Sequence, residues 1–179
     1  MRKNIIAISF MVLFIFTLVW LIVIGTKPEV LPVGSQCPQI TYKTINGYDT
    51  LKTNSQNKML VIYFSKDCPH CEYELSILNE NLKKLEEVMV YLLTTNESYL
   101  KSEEIQANKN LLLSSKVFYG IVNEENFNQS FGSLITPSLY FFNKKGVLTE
   151  KIKGETKFER ILEELEKSGS PEYRVSGSK

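Results

Sequence analysis

Apolar side chains fill positions 59–64 without a break (Met59-Leu60-Val61-Ile62-Tyr63-Phe64). Such a run is the mark of a strand buried on both faces. After a short polar break the period changes. Leu75, Leu78, Leu82 and Leu85 recur at helical spacing and predict an amphipathic helix ending near Glu87. Val88 to Thr94 reads as a second buried strand. Residues 96–110 are polar, with a helical start at Ser102-Glu103-Glu104, and the apolar stretch from Leu111 to Val122 holds one strand. Glu124 to Phe131 is a short helix, and Ser138 to Phe142 a strand. Lys144-Lys145-Gly146 turns the chain into a last strand, Val147 to Lys153. Phe158, Ile161, Leu162 and Leu165 stripe a final helix. Ahead of all these, Gln39–Thr44 and Tyr48–Lys52 flank Asn46-Gly47, a hairpin signal. Strand–helix–strand units followed by a strand pair and a covering helix predict an α/β domain, with a central mixed sheet and helices on both faces.

The N-terminus follows a different pattern. Ile5 to Ile24 is a stretch of 20 residues without a charge, long enough to span a bilayer. Ile24-Gly25-Thr26-Lys27 is a poor cleavage site, so the stretch reads as an uncleaved signal anchor. Arg2 and Lys3 precede it, which puts residues 1–4 in the cytoplasm and the domain outside, facing the periplasm or cell exterior. Residues 25–33 are then a linker, 34–167 the folded domain and 168–179 a flexible tail rich in Ser and Gly. Net charge is +1. Apart from Arg2 and Lys3, the chain carries 19 basic and 20 acidic side chains, which argues against nucleic acid as a partner.

Three cysteines are present, and two of them form Cys68-Pro69-His70-Cys71 directly after the strand 59–64. This spacing puts Cys68 at a helix N-terminus. Unpaired N–H groups and the positive end of the helix dipole stabilise a thiolate there. Cys71, one turn further on, can attack a mixed disulfide and release the partner. An inert disulfide and a metal site are the plainer readings. Zinc needs about four ligands, and the other soft donors are only Cys37 and His70, so no metal is expected.

With Thr136-Pro137 before a strand, Glu74 three residues after Cys71, and Gly34-x-x-x-Pro38 ahead of the hairpin, residues 31–167 resemble the thioredoxin-like superfamily. The nearest branch resembled is the TlpA/ResA-type membrane-anchored thiol–disulfide oxidoreductases. The resemblance implies a nucleophile at Cys68, a resolving thiol at Cys71 and a redox-active disulfide between them. It also implies a cis peptide before Pro137 and a substrate-binding backbone at Thr136 and Pro137. Two departures stand out. Asp67 replaces the usual Trp before the first cysteine, and Ile62 replaces a buried acid six residues before it. The base serving Cys71 must then come from elsewhere, with Glu74 the leading candidate. The Pro69-His70 dipeptide is that of DsbA-type oxidases, so Pro69, His70 and Glu74 are the expected redox-tuning residues.

His70 is the only histidine. A cationic or hydrogen-bonding imidazole so near Cys68 would favour the thiolate and make the couple more oxidising. Cys37 is expected to be a buried, inert thiol. The reading is a thiol–disulfide oxidoreductase acting on protein thiols or disulfides, as a reductase rather than an oxidase, and served by a transmembrane electron donor or acceptor protein. No cofactor motif is present. Two rivals are a tethered binding domain with a static disulfide and a peroxiredoxin-type peroxidase. The second would want Thr and Pro where Ser65 and Val61 stand.

Overall fold

β3 (Lys58–Tyr63) lies inside a seven-stranded sheet, and that position explains its sequence. The computed structural model describes residues 11–21, 29–101, 103–132 and 135–168. Its other strands are β1 (Thr41–Thr44), β2 (Gly47–Thr50), β4 (Val88–Thr94), β5 (Val117–Ile121), β6 (Ser138–Phe142) and β7 (Leu148–Lys153). The order across the sheet is β2-β1-β5-β4-β3-β6-β7. β3 runs parallel to β4 and antiparallel to β6, and β4 runs parallel to β5. The two hairpins, β1–β2 and β6–β7, close the ends. The mixed α/β sheet and the N-terminal hairpin are as the periodicity predicts.

The helices are α1 (residues 11–21), α2 (Pro69–Asn81), α3 (Glu103–Ala107), α4 (Lys109–Leu113), α5 (Glu124–Phe131) and α6 (Phe158–Lys167). Alternation along β3 divides the core in two. Leu60, Ile62 and Phe64 face a cluster with Cys71, Leu75 and Leu78 of α2 and Phe158, Ile161 and Leu165 of α6. Met59, Val61 and Tyr63 face a second cluster with Tyr42, Tyr91 and the α5 rings Phe127 and Phe131. Tyr63 stacks on Phe127 with centroids 4.3 Å apart.

Two elements differ from the expectation. α2 ends at Asn81 and not near Glu87, giving way to a 3₁₀ turn over Leu82–Leu85. Asn81 leaves helical dihedrals (φ −107°, ψ 13°), and its side-chain amide donates to the Ile77 carbonyl at 2.9 Å. A short polar side chain thus competes with the backbone ladder. Residues 97–122, only loosely placed by pattern, become a 3₁₀ turn at Glu97–Lys101, then α3, α4 and β5.

The predicted span 5–24 is described only over 11–21, a helix whose residues are all exposed; its remaining positions lie outside the described residues. Among the described residues, no helix is long and apolar enough to cross a membrane. The tail beyond Ser168 and residues 1–4 also lie outside them. Part of the predicted linker packs on the domain: Leu31 is buried, and Lys151 Nζ binds both Glu29 and the Leu31 carbonyl.

Candidate active site

Register alone brings three loops to one end of the sheet. Tyr63 pairs with Ser138, and Ser138 pairs with Lys153. Residues following β3, preceding β6 and following β7 must therefore meet. They are Ser65–Cys68, Thr136-Pro137 and Gly154–Thr156.

Asp67 makes the bend from β3 into α2 with a left-handed φ of 59°. Aspartate tolerates this region better than most residues with a side chain. Cys68 is the N-cap of α2, and its Sγ accepts the Cys71 N–H at 3.3 Å. Its carbonyl accepts from Cys71 N at 2.9 Å and Glu72 N at 3.1 Å. Pro69 begins the helix, where a missing N–H does no harm. Cys68 Sγ lies 3.9 Å from both the carbonyl oxygen and Oγ1 of Thr136. The Thr136–Pro137 peptide is cis, as the resemblance implies. Cys68 is partly exposed, whereas Cys71 is 1% exposed. Burial, reinforced by the hydrogen bond to Cys68, pushes the Cys71 thiol up to about 12. Both cysteines are free thiols here.

Glu74 is one helical turn beyond Cys71 and is also 1% exposed. Its Oε2 accepts the Thr156 N–H at 3.0 Å, while Oε1 is buried without a partner. Burial raises this carboxyl to about 7, and the Thr156 hydrogen bond offsets it only in part. It is thus unlike its exposed neighbour Glu72. His70 is exposed, and its Nδ1 lies 2.7 Å from Glu155 Oε2.

The structure therefore gathers Cys68, Pro69, His70, Cys71, Glu74, Thr136 and Pro137 into one region. Cys37 belongs to the opposite face of the sheet, among the Tyr42 cluster. Its Sγ donates to the Pro38 carbonyl at 3.6 Å, and burial pushes the thiol up to about 12. Sequence reasoning missed Glu155 and the Thr156 N–H. Nothing in the sequence sets Glu155 apart from other surface glutamates, because its partner stands 85 residues away.

An N-capping thiol, a buried second thiol and an adjacent proline form a site able to exchange disulfides. The Thioredoxin-like domain family matches residues 48–169, most of the folded part. The chain belongs to this thioredoxin-like family. The resemblance carried by Cys68-Pro69-His70-Cys71 and Thr136-Pro137 is thereby borne out. No curated protein matches the chain.

Among solved structures, the thioredoxin-like fold is shared with a peroxiredoxin-like protein from Aquifex aeolicus. That match has 16% identity and a TM-score of 0.64, over 79% of this chain and 90% of that one. The thioredoxin domain of a thiol-disulfide oxidoreductase from Bacteroides vulgatus matches at 20% identity and TM-score 0.60, over 76% and 97%. StoA from Bacillus subtilis matches at 18% identity and TM-score 0.55, over 72% and 96%. At such identities the likeness is one of fold. It covers thiol–disulfide oxidoreductases and peroxiredoxins alike, so activity must be argued from the residues.

Proposed function

We propose that this chain is a thiol–disulfide oxidoreductase of the TlpA/ResA type, working outside the cytoplasmic membrane and in the reducing direction. The observation that carries the proposal is the position of Cys68. Its sulfur caps α2, takes the Cys71 N–H at 3.3 Å and faces the Thr136 backbone beside Pro137. The sulfur is partly exposed at the helix N-terminus, so an incoming chain can reach it.

In the reducing reaction, the Cys68 thiolate attacks one sulfur of a client disulfide. A mixed disulfide forms and the first client thiolate leaves. Cys71 then loses its proton and attacks Cys68 Sγ, the mixed disulfide breaks, and the second client thiolate leaves. Two electrons and two protons pass from the dithiol to the client. Glu74 takes the Cys71 proton. Its carboxyl, held near 7, is matched to that task at neutral pH. Thr136 and Pro137 offer backbone to an extended client segment. His70 and Pro69 tune the couple.

Residues 5–24 anchor the chain as a single span in the cytoplasmic membrane, with 1–4 inside and 34–167 in the periplasm or cell exterior. The uncharged run and the preceding Arg2 and Lys3 support this topology. An exported dithiol needs an electron source across the membrane, so a transmembrane donor protein is the second partner.

The test is the equilibrium reduction potential of Cys68–Cys71 in the full chain, held in detergent, together with turnover of a protein disulfide such as insulin. A value near that of thioredoxin, about −270 mV, with turnover supports the reductase. A value near that of DsbA, about −120 mV, reverses the direction to oxidase. A bond that resists thiol reductants altogether leaves a static disulfide.

A further inference from the structure

The turn between β7 and α6 touches the site through three successive residues. Gly154 N–H donates to the Pro137 carbonyl at 2.8 Å. Glu155 Oε2 meets His70 Nδ1 at 2.7 Å. Thr156 N–H donates to Glu74 Oε2 at 3.0 Å. Bonds on both sides of Glu155 therefore hold its backbone beside the dithiol, within reach of His70. Gly154 takes φ 90°, a conformation that suits glycine.

We propose that Glu155 is a positioning residue for the dithiol: its carboxylate, carried by this turn, pairs with His70 and offsets the imidazolium charge, so that the Cys68–Cys71 couple stays more reducing than Pro69-His70 alone would make it. The inference rests on the reading of Cys68 and Cys71 as a redox couple. An uncompensated imidazolium two residues from Cys68 would stabilise the thiolate, and with it the reduced form, which raises the potential. A carboxylate in contact makes the pair neutral and removes most of that pull. The same carboxylate also helps hold the proton on Glu74. The His70 segment further carries Asp67 and Glu72, and the turn carries Lys157, all exposed. The His70 and Glu155 side chains are 66% and 45% exposed, so the effect is that of a screened surface pair.

The test measures the dithiol–disulfide equilibrium of the full chain against glutathione at about pH 5, below the range in which histidines ordinarily titrate. Four proteins are compared: wild type, Glu155→Gln, His70→Ala and the double variant. Glu155→Gln is expected to shift the equilibrium about threefold toward the dithiol, ~14 mV higher in potential. In the His70→Ala background the same substitution is expected to shift the equilibrium clearly less, because only the weaker influence through Glu74 is left. No shift in the wild-type background, a shift in the opposite sense, or equal shifts in both backgrounds would overturn the proposal. Insulin turnover by the wild type is read separately. Its absence, with a measurable potential, would sink the catalytic reading and leave the electrostatic one standing on its own result.

Discussion

Cys71 and Glu74 stand one turn apart on the same face of α2, and each leaves only 1% of its surface exposed. Both proton equilibria are pushed upward by burial, the thiol to about 12 and the carboxyl to about 7. At neutral pH the thiol therefore keeps its proton, while the carboxyl stands close to half-titrated. This is a resting state in which the second thiol stays protonated until a mixed disulfide calls on it.

The buried carboxyl has a consequence for stability. The folded state raises Glu74 from 4.5 to about 7. Between those values the folded chain binds a proton that the unfolded chain releases, so stability falls as pH rises through this window. The ionised form costs the fold on the order of 3 kcal/mol once pH exceeds the upper value. Glu74→Gln has no such charge and can still accept the Thr156 N–H. Urea unfolding should find it more stable than wild type at pH 8 and close to wild type at pH 4.5. Equal stabilities at pH 8 would show that Glu74 does not feel its burial.

Glu74→Gln should also slow the second half of the reaction while sparing the first. General bases typically contribute 100-fold or more, so resolution of the mixed disulfide by Cys71 should fall by at least about tenfold. Rapid quenching with a peptide disulfide would show the mixed species building up in the variant. Unchanged resolution would remove Glu74 from the mechanism.

The three thiols should react with iodoacetamide in a definite order. Cys68 is partly exposed at a helix N-terminus, whereas Cys37 and Cys71 are both pushed up to about 12. At pH 8 the reduced protein should gain one label at Cys68 more than about tenfold faster than the others, as read by mass spectrometry of its peptides. First labelling at Cys37 would contradict the packing seen on the far face of the sheet.

Much of this was readable from residue order. The β3 run and the leucine stripe of α2 are local signals, and the Cys68 and Pro137 motifs mark the two loops that Tyr63–Ser138 pairing brings together. The burial of Glu74 was also within reach. Positions 71, 74, 75 and 78 form one face at helical spacing, and all four are buried. The region 97–122 was not legible, because its elements are short and their anchors are distant. Asn79 Oδ1 accepts from Asn110 N at 3.0 Å and from Leu111 N at 3.2 Å, bonds that no local pattern announces. The Asn81 helix stop was hidden by leucines that continue the stripe into a 3₁₀ turn.

The hairpin end of the sheet depends on a close approach at Gly120. A Cβ there would lie 2.2, 2.7 and 2.8 Å from Cδ2, Cγ and Cβ of Tyr42. Tyr42 is 2% exposed, and its ring meets Tyr91 edge-on at 6.0 Å, so it has little room to yield. β1 pairs with β5 through Lys43–Ile121, next to the clash. Gly120→Ala should therefore push the β1–β2 hairpin off β5 and destabilise the domain by about 1–3 kcal/mol. Adding Tyr42→Ala should relieve the clash, so that the double variant is less damaged than the sum of the two singles. The Cys68–Cys71 potential should not move, because Tyr42 packs on the sheet face opposite the dithiol. Denaturant titrations of the four proteins decide it: strictly additive costs would mean that Tyr42 is not what excludes a side chain at position 120.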